Sequence, residues 1–241
     1  MLEVTNLTKS FGKLKVLDDV SVRMHAGQAI SLIGPNGSGK TTFLKCLLGL
    51  VMPDGGAMTL HGKSIVGGWD YKRQLGYMPQ IGRYPDHIRV GQLFEMIQEI
   101  RRGTFEKLDE ELMHAFGVAE FAHKTMRTLS GGTRQKVSAC LALLFDPAVL
   151  ILDEPTAGLD PMASEILKEK ILAEKAKGKL ILVTSHIISD LEELTTDVMY
   201  IMEGKVRFYQ PIDTLKSRTG EQKLNRALAK IMTTQSVTTK Q

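Results

Sequence analysis

One glycine-rich segment has the residue types and spacing of a phosphate-binding loop. The segment GPNGSGKT, residues 34–41, fits G-x-x-x-x-G-K-[ST] and lies between an apolar strand, QAISLIG, and an apolar helix, TTFLKCLLGL. In this arrangement the glycines let consecutive backbone N–H groups surround phosphate oxygens, Lys40 reaches the β and γ phosphates, and the Thr41 hydroxyl ligates Mg²⁺. The candidate nucleotide-binding residues are Gly34, Pro35, Asn36, Gly37, Ser38, Gly39, Lys40, Thr41 and Thr42.

Two acidic residues follow a second apolar strand, in the sequence VLILDEP. A magnesium site needs a second protein ligand, and Asp153 at the end of this strand supplies a carboxylate for it. Glu154 comes next and is expected to polarise a water molecule rather than to bind the metal. An acidic pair before Pro155 is also typical of an ordinary loop, but the phosphate loop upstream favours the catalytic interpretation.

His186 follows a third apolar strand, LILVTS. A lone histidine at a strand end is usually structural. In a parallel sheet, however, His186 would emerge at the same edge as Asp153, where the γ-phosphate and the attacking water must lie. This position favours a histidine that contacts the γ-phosphate and holds the water and Glu154 in line.

The segment LSGGTRQK, residues 129–136, precedes an apolar helix. Ser130 is predicted to cap that helix, because a serine oxygen can accept a hydrogen bond from a free backbone N–H of the first turn. A cap needs no glycines, and glycine in a first turn lowers helix stability unless another group approaches the backbone closely. Two interpretations are therefore open: an ordinary capped helix, or a bare N-terminus that binds an anion.

These segments need a sheet that brings them together. AVLILD, MASEILKEKILAEKAK and KLILVTSH are predicted as strand, helix and strand of a parallel sheet buried on both faces. LEVTNL and DDVSVRM are predicted as short strands separated by a turn region, SFGKLKV, and DVMYIMEGKVRFYQ as a hairpin that turns at Glu203-Gly204. Two apolar stripes between about Val90 and Phe121 predict helices; they are Val90, Leu93, Phe94 and Ile97, and Leu108, Leu112 and Phe116.

The predicted fold class is α/β. It has a P-loop NTPase core with a mainly parallel sheet, an N-terminal antiparallel β subdomain and an inserted α-helical subdomain. The predicted division is an ATPase domain over 1–215, with the helical subdomain at about 84–145, and a tail over 216–241. The tail is polar, with Leu224, Leu228 and Ile231 as a weak helical stripe, and is expected to be a frayed appendage.

Composition excludes several classes of protein. The chain has 241 residues and a net charge of +4, with scattered Lys and Arg, so no nucleic-acid partner is predicted. Cys46 and Cys140 lie among leucines and are expected to be core residues in a reducing compartment. The longest apolar run, Ala139 to Phe145, has seven residues, far short of the roughly 18 of a membrane helix. A cytoplasmic protein is expected, whose contact with a membrane runs through a partner.

The order of these motifs resembles that of the nucleotide-binding domains of ABC transporters. The motifs are the P-loop, YMPQ with Gln80, LSGG, LILDEP, AGLD with Asp160, and TSH with His186, and the resemblance covers roughly residues 2–215. LSGG is specific to ABC ATPases among P-loop proteins. The resemblance implies an ATPase whose cofactors are ATP and Mg²⁺.

The resemblance also implies partners and further site residues. In the family two domains face each other head to tail, so Ser130, Gly131 and Gly132 would cap the γ-phosphate held on a partner's P-loop. A homodimer or a paired ATPase subunit is therefore implied, together with an integral membrane permease and a peripheral position on the inner face of the cell membrane. Further implied roles fall to Phe11 (stacking on adenine), Val16 (packing beside the base), Gln80 (contact with Mg²⁺) and Asp160 (contact with the opposing P-loop region).

Some features leave the subtype open. Thr133 follows LSGG where many transporters have glutamine, and AGLD stands in place of the common SALD. DEPTAGLDP resembles exporter-type ATPases that pair with separately encoded permeases, and YMPQIGRYP resembles the copper-processing ATPase subunit of nitrous oxide reductase maturation. Phe11 has the alternative role of a turn aromatic that packs on its own strand.

Two functions of other classes compete with the transporter ATPase. One is a soluble assembly ATPase of the same superfamily, such as one serving an iron–sulfur scaffold. The other is a nucleotide-binding module without catalysis, which the presence of Glu154 and His186 disfavours.

Overall fold

The computed structural model of the protein describes residues 2–238, which form two β-sheets with helices around them. The strands are β1 (Leu2–Phe11), β2 (Leu14–Met24), β3 (Ala29–Ile33), β4 (Gly55–Leu60), β5 (Lys63–Ser64), β6 (Leu75–Met78), β7 (Val149–Asp153), β8 (Leu180–Thr184), β9 (Asp197–Met202) and β10 (Lys205–Pro211). The α-helices are α1 (Lys40–Leu47), α2 (Val90–Ile100), α3 (Glu111–Ala115), α4 (Val118–Phe121), α5 (Gly131–Leu143), α6 (Pro161–Ala176), α7 (Ile188–Leu194), α8 (Ile212–Thr219) and α9 (Leu224–Thr238). Two short 3-10 helices span Asp70–Gln74 and Met126–Thr128. Within the described part of the chain, no helix combines the length and the apolar character needed to cross a bilayer.

The larger sheet has the strand order β10-β9-β3-β8-β7-β6. Its neighbouring pairs from β9 to β6 are parallel, and β10 pairs antiparallel with β9 in the predicted hairpin. Every residue of β3 and β8 is buried, as expected for strands of a parallel sheet covered on both faces. The carboxyl ends of β3, β8, β7 and β6 therefore lie at one edge. Each motif predicted to bind phosphate or metal, or to act in catalysis within the same chain, follows one of these ends.

The smaller sheet is antiparallel, with the order β2-β1-β4-β5, so the predicted N-terminal β subdomain is confirmed. The predicted turn region over residues 10–16 was too wide. Only Gly12 and Lys13 connect β1 to β2, because the left-handed φ of 58° at Gly12 permits a tight turn. Leu14 and Val16, which were assigned to the turn, belong to β2.

The first apolar stripe of the helical region forms α2, as predicted. The second was only partly right. Leu108 lies in a non-helical segment, because α2 ends at Ile100 and the next helix starts only at Glu111. Gly103, between the two helices, has a left-handed φ of 76°. Leu112 and Phe116 are buried, and Leu108 is partly buried against the same core cluster.

The prediction of a frayed tail was wrong for its described part. Leu224, Leu228 and Ile231 lie on α9 and are buried in the same core cluster as β8 and α7. The backbone N–H of Leu224 also donates to Glu192 on α7 at 3.2 Å. Burying such side chains stabilises the folded chain by roughly 1.5–3 kcal/mol each, enough to dock a short helix. Residue 1 and residues 239–241 lie outside the described residues.

A buried ion-pair network ties α6 to the helical region. The ammonium of Lys170, 2% exposed, lies 2.6 Å from Asp109, 2.5 Å from Glu111 and 3.1 Å from Glu174. Burial alone would raise the pKa of Glu174, but hydrogen bonds from Lys177, Lys179 and Lys170 lower it to about 2. The network fixes one end of the helical region against the core.

Candidate functional site

The four parallel strand ends enclose a cavity of about 310 Å³. Its lining includes residues from each of the segments that follow those strands, so residues far apart in the sequence share one pocket. The lining residues are Leu14, Val16, Asn36, Gly37, Ser38, Gly39, Lys40, Thr41, Thr42, Gln80, Asp153, Glu154, Thr184 and His186. Gly34 and Pro35 lie beside it and line a neighbouring cavity of about 420 Å³.

The glycines of the loop after β3 are needed for close backbone approaches. A Cβ on Gly34 would lie 2.0 Å from the carbonyl oxygen of Ile201, and one on Gly39 would lie 2.7 Å from that of Val16. Gly39 also has a left-handed φ of 107° and begins α1 without a side-chain cap. The first N–H groups of α1 thus have no side-chain cap, and Lys40, Thr41 and Thr42 of its first turn line the cavity, an arrangement suited to an anion.

Two polar groups of this loop fit a phosphate ligand. Among residues 2–238, the buried hydroxyl of Ser38 has no hydrogen-bond partner. The ammonium of Lys40 donates to the carbonyl oxygens of Gly34 at 2.7 Å and Pro35 at 3.0 Å. Burial lowers the pKa of Lys40, and the charges of Glu154 and Asp153 partly oppose this shift. A desolvated cation and an unsatisfied hydroxyl therefore lie in the same loop, where phosphate oxygens would satisfy both.

The two acidic residues after β7 have different surroundings. Asp153 accepts a hydrogen bond from the hydroxyl of Thr184 at 2.5 Å. Glu154 has a left-handed φ of 55°, unusual for a residue with a side chain. Its Oε1 lies 3.0 Å from Nε2 of His186, whose side chain is 68% exposed. The structure thus brings Glu154 and His186 together, and Asp153, Thr41 and Gln80 line the same cavity.

The hairpin between β1 and β2 covers the other side of the cavity. Val16 lines it, and so does Leu14, which the sequence did not suggest; the packing of Val16 beside the base stays a prediction. Phe11 pairs with Leu14 across the hairpin and is 52% exposed, with the ammonium of Lys9 5.4 Å from its ring centroid. The ring of Phe11 is accessible to a base, and its predicted stacking on adenine stays a prediction.

A surface groove of about 430 Å³ begins directly after Gln80. It is lined by Ile81, Gly82, Arg83, Tyr84, Asp86, Met126 and Arg134. The side chain of Ile81 is 69% exposed, whereas Tyr84 is partly buried and shares a 2.7 Å hydrogen bond with the hydroxyl of Ser138 on α5. Tyr84 therefore links the segment after Gln80 to the helix that follows LSGG.

The two glycines of LSGG differ in their surroundings. A Cβ on Gly132 would lie 2.6 Å from the carbonyl oxygen of Gly158, whereas one on Gly131 would meet no described atom within 4 Å. Gly158 has a left-handed φ of 76°, which accounts for glycine in AGLD. Ser130 caps α5 as predicted, since its oxygen accepts from the Thr133 N–H at 3.2 Å. Packing within the chain thus explains Gly132 and leaves Gly131 open to an approaching group.

The LSGG segment lies apart from the cavity of its own chain. Ser130, Gly131, Gly132 and Asp160 are not among the described residues that line it, and Ser130 and Gly131 are exposed. Asp160 caps α6 through the N–H of Ala163 at 2.9 Å and pairs with Lys136 at 2.9 Å. The hydrogen bond from Ala163, followed by that from Lys136, lowers the pKa of Asp160, so its carboxylate is charged and committed to contacts within the chain.

Sequence reasoning missed residues on three elements. Leu14 was missed because it was assigned to a turn, and Thr184 because it lies inside the apolar run before His186. Asn225, Leu228, Ala229 and Met232 of α9 line the 420 Å³ cavity together with Lys40, Glu154 and His186. The weak apolar stripe of the tail was the available signal for α9.

Comparison with known proteins decides the family. A family model described as "ABC transporter" matches residues 17–157, more than half of the chain. The chain belongs to the ABC transporter family. The resemblance drawn from the motifs is thereby confirmed, and the implied enzyme class, an ATPase, is that of the family.

Several related proteins of the ABC family are named as transport or export ATP-binding proteins. The Nod factor export ATP-binding protein I of Ralstonia nicotianae is 35% identical over 209 residues, which are 85% of this chain and 65% of that protein. The lantibiotic transport ATP-binding protein SrtF of Streptococcus pyogenes is 33% identical over 208 residues, which are 86% of this chain and 89% of that protein. The chain therefore spans about two thirds of the length of the first relative and most of the second.

Solved structures confirm the predicted fold class. The ATP-binding subunit of an ABC transporter superposes with a TM-score of 0.88 at 28% identity, covering 96% of this chain and 99% of that one. A dimeric bacterial ABC transporter cassette superposes with a TM-score of 0.76 at 24% identity, covering 88% and 98%, and supports the fold alone.

The different surroundings of the two LSGG glycines generate a prediction. Gly131→Ala should keep or slightly raise the thermal unfolding midpoint, because the added methyl meets open space and alanine favours a helix more than glycine does. It should weaken ATP-driven dimerisation roughly 5- to 150-fold, the effect of forcing a methyl group into a packed interface at about 1–3 kcal/mol. Gly132→Ala is the matched comparison and should lower the unfolding midpoint, since its methyl would meet the Gly158 carbonyl. Unchanged dimerisation of Gly131→Ala would show that no partner approaches this glycine.

Proposed function

We propose that this chain is the ATP-binding and ATP-hydrolysing subunit of an ABC transporter. Two copies, or this chain and a paired ATPase subunit, would bind head to tail around two MgATP and drive a separate membrane permease. The observation that carries the proposal is the convergence of the P-loop, Gln80, Asp153, Glu154 and His186 on one cavity at one sheet edge. The transport names of the related proteins support the coupling to a permease.

The loop after β3 and the hairpin between β1 and β2 would bind the nucleotide. The N–H groups at the start of α1 and the ammonium of Lys40 would bind the β and γ phosphates, and the Ser38 hydroxyl is available to a phosphate oxygen. Phe11 would stack on the adenine, with Val16 beside it. Thr41, Gln80 and Asp153 would hold Mg²⁺, which when bound would supply positive charge at the phosphate oxygens.

The catalytic part belongs to the turn after β7 and the end of β8. Glu154 would accept the proton of the attacking water, and its left-handed backbone conformation sets the direction in which its side chain leaves the turn. His186, 3.0 Å from that carboxylate, would hold Glu154 and contact the γ-phosphate. Because its side chain is mostly exposed, it is accessible to a ligand that enters from the dimer side.

The position of LSGG supports the trans arrangement. Ser130 and Gly131 are exposed and lie outside the described lining of their own phosphate cavity, so an ordinary capped helix explains Ser130 but leaves Gly131 without a reason. A γ-phosphate bound by a partner chain would supply that reason, because the bare N-terminus of α5 favours an anion.

The groove after Gln80 is the proposed socket for the permease. Ile81 offers an exposed apolar anchor, and Arg83, Asp86 and Arg134 surround it with charges. Of the apolar residues that follow Ile81, Pro85 is exposed, whereas Tyr84 and Ile88 pack partly against the core. Through its hydrogen bond to Ser138, Tyr84 would transmit a movement at Gln80 to α5. The protein would then be peripheral on the inner face of the membrane.

Two more specific hypotheses about the partner of this ATPase stay predictions. A soluble assembly ATPase, for example one serving iron–sulfur cluster biogenesis, would use the same nucleotide site and differ only in what fills the groove. The resemblance of YMPQIGRYP to the copper-processing subunit of nitrous oxide reductase maturation concerns the identity of the permease rather than the chemistry of the site.

The proposed base is tested by Glu154→Gln, which keeps the shape of the side chain and removes its basicity. MgATP binding should persist, turnover should fall roughly 10²–10⁴-fold as for a removed general base, and an ATP-bound dimer should accumulate. Glu165→Gln, at a carboxylate paired with Lys168 and outside the cavity, is the control and should keep normal turnover. Near-normal hydrolysis by Glu154→Gln, measured by phosphate release, would rule out this role.

The proposed socket is tested by photo-crosslinking from Ile81→Cys labelled with a thiol-reactive benzophenone, in membranes of cells that produce the protein. The native Cys46 and Cys140 are buried, and burial raises the pKa of Cys46 to about 11, so they should stay unlabelled. The expected product is an adduct with one integral membrane protein, absent with the equally exposed control Leu50→Cys. Adducts with soluble proteins alone would favour the assembly ATPase.

A further inference from the structure

Thr184 makes contacts that no motif assigned to it. It is the last residue of β8 and lies opposite Asp153 in the parallel register of β7 and β8. Only 5% of the residue is exposed, and its side chain lines the nucleotide cavity. The hydroxyl donates to Oδ1 of Asp153 at 2.5 Å and accepts from the backbone N–H of Glu154 at 3.1 Å. One hydroxyl thus contacts both acidic residues.

The direction of these hydrogen bonds is fixed by the groups themselves. A hydroxyl has one hydrogen to donate, and an ionised carboxylate can only accept, so the hydrogen must point to Asp153. A lone pair of the same oxygen then receives the Glu154 N–H. Because each contact orients the hydroxyl for the other, the pair of acids is held as one unit.

The hydrogen bond from Thr184 gives the two carboxylate oxygens of Asp153 different roles. Oδ1 is occupied by Thr184 at a short distance, which orients the carboxylate and leaves the second oxygen for a metal ion. Carboxylates that bind metals are commonly oriented by such outer hydrogen bonds, and their loss typically costs about 10–100-fold in metal affinity or activity.

The hydroxyl of Thr184 also supports the left-handed backbone conformation of Glu154. A left-handed residue with a side chain costs about 1–2 kcal/mol relative to the right-handed form. The N–H of Glu154 is shared between the carbonyl oxygen and the hydroxyl of Thr184, both at 3.1 Å, at the residue whose φ is 55°. The hydroxyl therefore helps to hold the turn that directs the Glu154 carboxylate to His186.

We propose that Thr184 is a positioning residue for the Mg²⁺ ligand and the general base together. The proposal rests on the function proposed above. The buried hydroxyl of Thr184 would raise the affinity for the metal ion and the rate of turnover. It would change the affinity for metal-free nucleotide little, because the loop after β3 binds the phosphates without this hydroxyl.

The test uses two pairs of variants that each differ by the hydroxyl. Threonine and Thr184→Val have the same shape, and Thr184→Ser and Thr184→Ala share the loss of the methyl group. Mn²⁺ binding in the presence of a non-hydrolysable ATP analogue is measured by electron paramagnetic resonance, metal-free nucleotide binding by fluorescence titration, and turnover by phosphate release. Thr219→Val removes a buried hydroxyl of α8 far along the chain and is the control.

We expect Thr184→Val to weaken Mn²⁺ binding and lower kcat by about 10–100-fold, with metal-free nucleotide affinity within about twofold of wild type. Thr184→Ser should stay close to wild type, and Thr184→Ala should behave like Thr184→Val. If Thr184→Val does not fold, the comparison of serine with alanine decides. Equal Mn²⁺ affinity with and without the hydroxyl, or a serine variant as weak as alanine, would overturn the proposal. Failure of the wild type to bind Mn²⁺ with the analogue would instead contradict the proposed function.

Discussion

The parallel register of β3, β8, β7 and β6 is the constraint on which the site depends. It sets Asp153 beside Thr184 and Met78 beside Leu152, so the segments that carry Gln80, Glu154 and His186 leave the sheet at neighbouring points. A slip of one residue in any pair would turn the buried side chains to the opposite face, and the close packing of different side chains in the two core clusters on either side of the sheet opposes it. The energy that fixes the catalytic geometry therefore comes from the core.

The same constraint leaves the other half of the site unpartnered within the chain. The P-loop, Asp153, Glu154 and His186 meet in one cavity, whereas Ser130 and Gly131 are exposed and lie outside its described lining. Contacts through Gly132 with Gly158 and through Tyr84 with Ser138 attach this surface to the segments beside the nucleotide. We propose that a chain built in this way binds nucleotide by itself and completes the site only across an interface. In the proposed account, closure of that interface is the step that a permease would respond to.

The parts that the sequence predicted are those set by local chemistry. The P-loop, the strand ends and the cap at Ser130 each follow from residue types at fixed spacing, and the parallel sheet follows from unbroken apolar runs. The turn after Phe11 was drawn too wide because the pairs Val16-Leu17 and Asp18-Asp19 interrupt the alternation between Leu14 and Val20. The docking of α9 and the role of Thr184 depend on which elements lie opposite each other. The spacing of residues along the sequence does not show which elements lie opposite each other. A threonine at the end of an apolar strand gives the same sequence pattern whether or not it faces a carboxylate.

The reason for Gly132 was also inaccessible from the motif. Both glycines were expected to be bare for a phosphate, but a contact with Gly158, 26 positions along the chain, explains one of them. Only Gly131 keeps the interpretation that a partner's ligand approaches it.

The most direct test of the account is complementation between two broken chains. Lys40→Ala disables the phosphate loop and Ser130→Arg disables the LSGG surface, so each variant alone forms two defective sites. In a mixed dimer one interface carries both lesions, while the other joins the intact phosphate loop of the Ser130→Arg chain to the intact LSGG of the Lys40→Ala chain. The account predicts that ATPase activity partly returns on mixing, with a mixture of wild type and double mutant showing whether one intact site suffices. No recovery, when mixed dimers are shown to form and one site does suffice, would contradict action in trans.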